Sequence, residues 1–564
     1  MVRRVNTATQ ELHPEKAVVP VEAWFLPTEE HASQTRGDPE SGGGAPDVIG
    51  GEEPLPARLI EGTRVCCRMA QKTLVEEAPV RRARKTSARL LVVAGLLVAA
   101  GWSWRVHGQA RTGGAVVYEG ATLITGDGRA PIDNSAFVVQ NARFTQVGRR
   151  GAVNVPAGAT HVDLTGKTVM PGKVDTHGHF GFQHVADGTM AKEYFTPANL
   201  TAHLEILAYY GFSAAIGVGD LVDRSDLHGG RTGWGNAPLL VRDQVVPNAA
   251  LFKTSGTGIA YPGAGPQGHP SRTDVPYPVT TPEEARAAVQ DYAKMRPEFI
   301  KMWVDDRNGQ LPTLTPPLYR AVLDEAHKLN IPVAVHNVKL TDAKELVKAG
   351  VEGWLHAPVR DGAPDAEFIA LVKDRIARND RPNMWFNPTV GNNAVVGRDA
   401  WNDPLLRDTV PPGQVKKYFG EQLEKMTPEV TQRARQQVKE TAARIFFPVR
   451  DAGMKIVMGT DTGQSQFFIG WRSQLELETW VWMGMTPSEA IIAATRDAAA
   501  VGKFNTGSVA PGKNADFIVL DANPLDNIAN SRKINKVFLR GTEVDRAGLR
   551  ARWQKEWANQ SNQK

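Results

Sequence analysis

V-M-P-G-K-V-D-T-H-G-H-F, residues 169–180, carries two histidines two positions apart, His177 and His179, in a short apolar-to-polar strand that begins at Val174 and whose start is punctuated by Pro171-Gly172. In a β-strand that spacing sends both imidazoles to one face. Two neutral ring nitrogens aimed at one point are half of a site for a first-row metal ion. An H-x-H pair alone is equally well read as two histidines satisfied separately by backbone groups. Four later residues weigh against that reading.

Each of the four marks an apolar run further along the chain. Lys301 lies inside F-I-K-M-W-V, where an ammonium is costly to bury. A lysine in such a strand either reaches a carboxylate, with Asp305 and Asp306 nearest in sequence, or has exchanged its positive charge for another chemistry. His336 ends V-A-V-H, and His356 ends W-L-H twenty positions later, an interval that fits one helix and one strand. Asp461 ends K-I-V-M-G-T-D, and a buried carboxylate at that position calls for a cation.

The P-G-x-V-D-x-H-x-H frame, together with F-I-K, the two histidines and G-T-D in that order, resembles the amidohydrolase superfamily, in particular its imidazolonepropionase-like and Xaa-Pro dipeptidase-like members. The resemblance runs from about Val116 to Leu549. It implies an α/β fold: a (β/α)8 TIM-type barrel with a small β-sandwich built from both ends of the catalytic region. It also implies two divalent metal ions, zinc by ligand type. His177, His179 and Asp461 hold one, His336 and His356 the other, and Lys301, N6-carboxylated by carbon dioxide, bridges them. A metal-bridging hydroxide is then the nucleophile, and Asp461 carries its proton to the leaving amine.

The rest of the chain is consistent with that architecture. Short alternating runs between about 115 and 170 and again between 506 and 550 read as the two parts of the sandwich. From 171 to 505 buried runs alternate with amphipathic ones, such as P-L-Y-R-A-V-L-D-E-A-H-K-L and T-D-A-K-E-L-V-K-A-G, as parallel β/α units require. Asp361–Val410 is rich in Asn, Asp, Arg and Pro and reads as a surface excursion around the seventh strand, M-W-F-N-P-T-V; residues 551–564 read as a C-terminal tail.

Residues 1–80, with S-G-G-G-A-P and G-G-E-E-P-L-P, read as disordered or as the product of an early start assignment, Met69 giving a more ordinary leader. Basic residues Arg81, Arg82, Arg84, Lys85 and Arg89 precede an uncharged run, Leu90–Trp104. This pattern fits a signal peptide ending near Ala110 or a retained membrane anchor, and either places the later residues in the periplasm or another extracytoplasmic space. These five charges equal the net charge of +5, so the remainder is near neutral and offers no nucleic-acid surface. Cys66 and Cys67 are the only cysteines, which excludes a disulfide framework and thiolate chemistry in the catalytic region.

Loops set the substrate. His269 in G-P-Q-G-H-P and Tyr261 read as substrate contacts. Glu476 reads equally as a substrate contact or as a residue of a helix surface, and Arg472 belongs to the loop after Asp461. His184, His203 and His327 read as structural. Asp305, Asp306 and Arg307 stand where members of the family commonly carry a glycine-rich segment. The expected reaction is hydrolysis of C–N bonds in small amides, dipeptide-like or N-acyl amino acid substrates. Opening or deamination of a cyclic C–N substrate, and a non-catalytic barrel, are the alternatives; Lys301 argues against the first and the complete ligand set against the second. The sequence leaves the oligomeric state open, a homo-oligomer included.

Overall fold

The computed structural model describes residues 114–220, 235–265, 275–378, 384–391, 401–420, 425–464 and 467–561. The leader, both cysteines and His269 lie outside them. Eight parallel strands carry the architecture, numbered here β1 (Lys173–Gly178), β2 (Phe212–Gly217), β3 (Leu251–Thr254), β4 (Ile300–Val304), β5 (Val333–Asn337), β6 (Gly353–Leu355), β7 (Trp385–Asn387) and β8 (Lys455–Ile456). Each of β1, β2, β4, β5, β6 and β7 is buried along its whole length, as expected where helices cover a parallel sheet.

Neighbours pair in chain order. β1, β2 and β3 form one parallel run, and β4 to β8 another. Beyond β3 a short strand, Ile259–Ala260, aligns Ile259 with Met302 of β4. At the other seam Thr176 N donates to Met458 O at 3.0 Å and His179 N to Thr462 O at 2.7 Å, with Gly178 and Thr462 bridged in parallel. The last strand thus returns to the first, giving the TIM-type barrel. Inside it, Asn387 Nδ2 donates to Thr176 Oγ1 at 3.1 Å and to Val457 O at 2.9 Å, tying β7 to β1 and to the residue that follows β8.

The helices obey the sequence pattern. Pro316–Lys328 buries Leu318, Tyr319, Val322, Leu323 and Ala326, one stripe at helical spacing. Leu318, Val322 and Leu323 each contribute roughly 1.5–3 kcal/mol on burial. Pro282–Met295 starts with a Thr281/Glu284 capping box, and Leu340–Ala349 stops at Gly350 with φ +101°.

The sandwich unites distant parts of the chain. Thr168–Pro171 pairs antiparallel with Phe517–Leu520, Pro171 opposite Phe517 and Thr168 opposite Leu520. Tyr118, Phe137, Phe144, Phe517 and Phe538 fill its core, with Phe517 and Phe538 stacked at 4.5 Å.

Two expectations are corrected. Asp361–Val410 is not a single excursion: Ala366–Arg378 is a covering helix with Phe368, Val372 and Arg375 buried. The stretch from 551 is not a loose tail either. It continues the helix Arg546–Ser561, and Trp553, 1% exposed, sits edge-on to Tyr209 at 5.5 Å. Among the described residues no helix is long and apolar enough to cross a membrane.

Candidate metal centre

The C-terminal ends of β1, β4, β5, β6 and β8 converge on one polar cluster. His177 and His179 leave β1 on one side, as their spacing requires, with ring centroids 5.6 Å apart. Glycine suits the position between them, because a Cβ on Gly178 would lie 2.2 Å from Phe180 Cζ and force that ring to shift. Asp461 completes the group: its Oδ1 is 2.8 Å from His179 Nε2 and 3.5 Å from His177 Nε2. One donor atom from each of the three falls within 4.8 Å of the others. Asp461 reaches this position with φ +54°, a left-handed backbone held by donation from its N to His177 O at 2.6 Å.

His356 adjoins His177 with centroids 5.2 Å apart, and His336 adjoins His356 at 4.9 Å. His356 Nδ1 is 2.7 Å from Thr389 Oγ1, and His336 Nε2 is 3.1 Å from Asp305 Oδ2 and 2.7 Å from Arg360 Nη2. Lys301, 2% exposed, aligns with Ala334 of β5 and rests its Nζ 4.8 Å from the Trp303 ring centroid. The two carboxylates nearest to it in sequence are engaged by other residues: Asp305 by His336 and Arg307, Asp306 by Lys339 at 2.5 Å.

Burial sets the charge of the cluster. Desolvation holds His177 and His356 well below the ordinary imidazole value, and it brings His336 down to about 3 with help from the Arg360 cation. All three rings are therefore neutral near pH 7, with lone pairs available. Burial alone would raise Asp461, but His177, His179 and Lys301 outweigh it and keep the carboxylate ionised. Neutral imidazoles around a buried carboxylate form the donor set that a divalent ion of the zinc type takes. His177 Nδ1, buried and without a hydrogen-bond partner among the described residues, fits a ring held for something other than protein contacts.

One contributor is not apparent from the sequence. Asp175 Oδ1 accepts from His177 N and Thr460 N, both at 3.1 Å, and Oδ2 accepts from Thr460 Oγ1 at 2.5 Å. It thus locks the end of β1 to the turn bearing Asp461. Its only signal is its place in the P-G-x-V-D-x-H-x-H frame, two residues before His177.

The outer residues fare differently. Tyr261 is partly buried against the cluster of Phe182, Phe195 and Trp303. Glu476 does not lie on a helix surface: it is 0% exposed, accepts from Gly391 N and from Trp480 Nε1 at 2.8 Å, and is pushed up to about 8 by burial. Arg472 is in the first turn of the helix Trp471–Met483 rather than in a loop, ringed by Trp401, Phe419 and Trp471 and donating to Gly391 O at 3.3 Å. His203 bonds Gly181 N and Gln183 O at 2.9 and 2.8 Å, and His184 and His327 pair with Asp187 and Glu352, all structural contacts.

Comparison with known proteins agrees with this geometry. Imidazolonepropionase of Deinococcus deserti is 38% identical over 101 residues, 17% of this chain and 25% of the relative, so the match spans a quarter of that protein's length. Among solved structures, a Bifidobacterium longum protein described as a prolidase superposes with a TM-score of 0.55 at 25% identity, covering 79% of this chain and all of the other. A Xaa-Pro dipeptidase with bound methionine gives 0.54 at 22%, covering 76% and 99%, and phenylurea hydrolase B gives 0.54 at 21%, covering 78% and 98%. Residues 253–544, more than half of the chain, match the amidohydrolase family, and with the barrel, sandwich and donor set in place the chain belongs to that family.

Proposed function

We propose that this chain is a metal-dependent hydrolase of C–N bonds acting on small amides, with peptide-like and N-acyl amino acid substrates as the first class to test. The observation that carries the reading is the convergence of His177, His179 and Asp461, with His356 and His336 adjoining, at the strand ends where barrels of this kind do their chemistry. His177, His179 and Asp461 would hold one divalent ion, and His336, His356 and an N6-carboxylated Lys301 a second, zinc by ligand type. When bound, such ions would supply an acidified water and polarise the substrate carbonyl. Asp461 supplies the proton traffic: a carboxylate oxygen accepts the proton as water attacks and returns it to the departing nitrogen. Asp175 and Thr460 keep that carboxylate in place, and the neutral imidazoles leave the centre free of competing protons.

The test is purification without chelators, elemental analysis, and assay against panels of dipeptides and N-acyl amino acids. Near two ions per chain with amide turnover supports the reading; a metal-free protein with no turnover on restoring zinc defeats it. A second reading, hydrolysis of a cyclic C–N substrate, is favoured by the matched stretch of imidazolonepropionase. Cyclic amides belong in the same panel.

We place this activity outside the cytoplasm on the strength of the basic flank and the apolar run Leu90–Trp104. A reporter active only after export, fused behind Ala110, tests it; an inactive reporter on a cytoplasmic protein would sink the idea.

A further inference from the structure

His336 offers a single nitrogen to two partners that cannot both be satisfied. Its Nε2 is 3.1 Å from Asp305 Oδ2, which only accepts, and 2.7 Å from Arg360 Nη2, which only donates. With the proton on Nε2 the ring donates to Asp305, and the lone pair sits on Nδ1. With the proton on Nδ1, Nε2 accepts from Arg360 and Nδ1 can bind no ion. In both arrangements Nε2 is engaged, so Nδ1 is the atom through which this ring could hold a metal.

The surroundings favour neither partner by accident. Asp305, 7% exposed, is anchored on β4's exit by Arg307, whose N donates to Oδ1 at 3.0 Å and whose Nε is 3.3 Å from Oδ2. Arg360, four residues beyond His356, is fixed independently through Nε to Asn337 O at 3.3 Å. The carboxylate and the guanidinium thus arrive from different loops onto one ring nitrogen.

We infer that Asp305 and Arg360 act as a tautomer selector for His336: Asp305 places the proton on Nε2 and arms Nδ1 for the second ion, and Arg360 pulls toward the tautomer that cannot bind it. Both are positioning residues acting through His336. The inference rests on the two-ion reading above and adds to it a means of setting the second ion's affinity separately from the first. A carboxylate behind a ligating histidine commonly changes metal affinity by about 10–100-fold.

Metal-stripped full-length protein titrated with zinc against a competing chelator tests this. Asp305→Ala should weaken the second ion by about 10–100-fold and leave the first, at His177, His179 and Asp461, unchanged, which also reports an intact barrel. Arg360→Met should leave the second ion as tight or tighter. The double variant should recover part of the loss caused by Asp305→Ala. A wild-type-like second ion in Asp305→Ala, or equal weakening in Arg360→Met, overturns the selector. If wild-type protein saturates at one ion, the two-ion reading fails, and the selector is then decided on metal-free protein by nitrogen-15 histidine spectra. His336 must carry its proton on Nε2 in wild type and lose that preference in Asp305→Ala; a proton on Nδ1 in wild type overturns it.

Discussion

His356 Nδ1 and Thr389 Oγ1 meet at 2.7 Å, and both residues hold a left-handed backbone, φ +115° and +52°. Such conformations cost on the order of 1–3 kcal/mol each for residues other than glycine, and they persist where the surrounding structure demands them. Asp461 is a third, at φ +54°. Positive-φ residues occur elsewhere in the fold too, but these three stand at the mouths of β6, β7 and β8, where side chains are aimed at the cluster rather than continuing a strand.

Removing the hydroxyl that orients the His356 ring should loosen the metal centre. Thr389→Ala is expected to lower affinity for the ion held by His356 by about 10-fold or more, and Thr389→Ser to retain it. Equal affinities for the two variants in a metal titration would show that Thr389 does not orient the ring.

Gly178 separates His177 from His179, and a Cβ there would press on the Phe180 ring. Gly178→Ala should cost about 1–3 kcal/mol by overpacking against Phe180, and pairing it with Phe180→Leu should recover part of that loss. Denaturant midpoints for the single and double variants check it. A Gly178→Ala protein as stable as wild type would mean that Phe180 moves aside freely.

Much of this site is legible in the sequence because His336, His356 and Asp461 end apolar runs and Lys301 lies inside one. Lys301 and Asp461 stand out as charges where burial is expected, and His336 and His356 sit one helix and one strand apart. Asp175 is visible as a residue but its role is not, since Thr460, the residue it holds, lies 285 positions away. Arg360 is hidden for a different reason: it lies only 24 positions from His336, but their meeting depends on how the loop after β6 folds back to the end of β5. The helix Ala366–Arg378 is obscured by the composition of the longer polar segment around it, although Phe368, Val372 and Arg375 keep helical spacing. At the C-terminus a short, mostly polar sequence conceals a helix because its anchor, Trp553, docks on Tyr209 from a distant part of the chain.

Glu476 should leave a signature in the pH dependence of stability. Its folded value, about 8, lies above the ordinary 4.5, so between those limits the folded state keeps a proton that the unfolded state has released. Its contribution is most favourable below pH 4.5 and declines as pH rises toward 8, by on the order of 1 kcal/mol per pH unit. Lys173, brought down to about 7 by burial, works in the opposite direction only above that pH. Glu476→Gln should thus become progressively more stable relative to wild type between pH 5 and 7. Parallel stability curves for the two proteins across that interval would contradict this.

Lys301 gives the sharpest chemical test. Its strand is buried throughout, its Nζ lies beside Trp303, and its charge is felt at His177, His336, His356 and Asp461 together. As an ammonium it would repel metal ions from the place where the donors converge; as a carbamate it would draw two of them. Lys301→Ala should therefore lose at least one ion and nearly all turnover. Lys301→Arg should fail equally, because a guanidinium keeps its proton and cannot take up carbon dioxide. Short carboxylic acids should restore part of the activity of Lys301→Ala by supplying the missing oxygens, and should do nothing for His336→Ala, where a ring nitrogen is missing instead. If Lys301→Arg keeps wild-type metal content and rate, the lysine serves only as a cation, and the bridging role assigned to it is wrong.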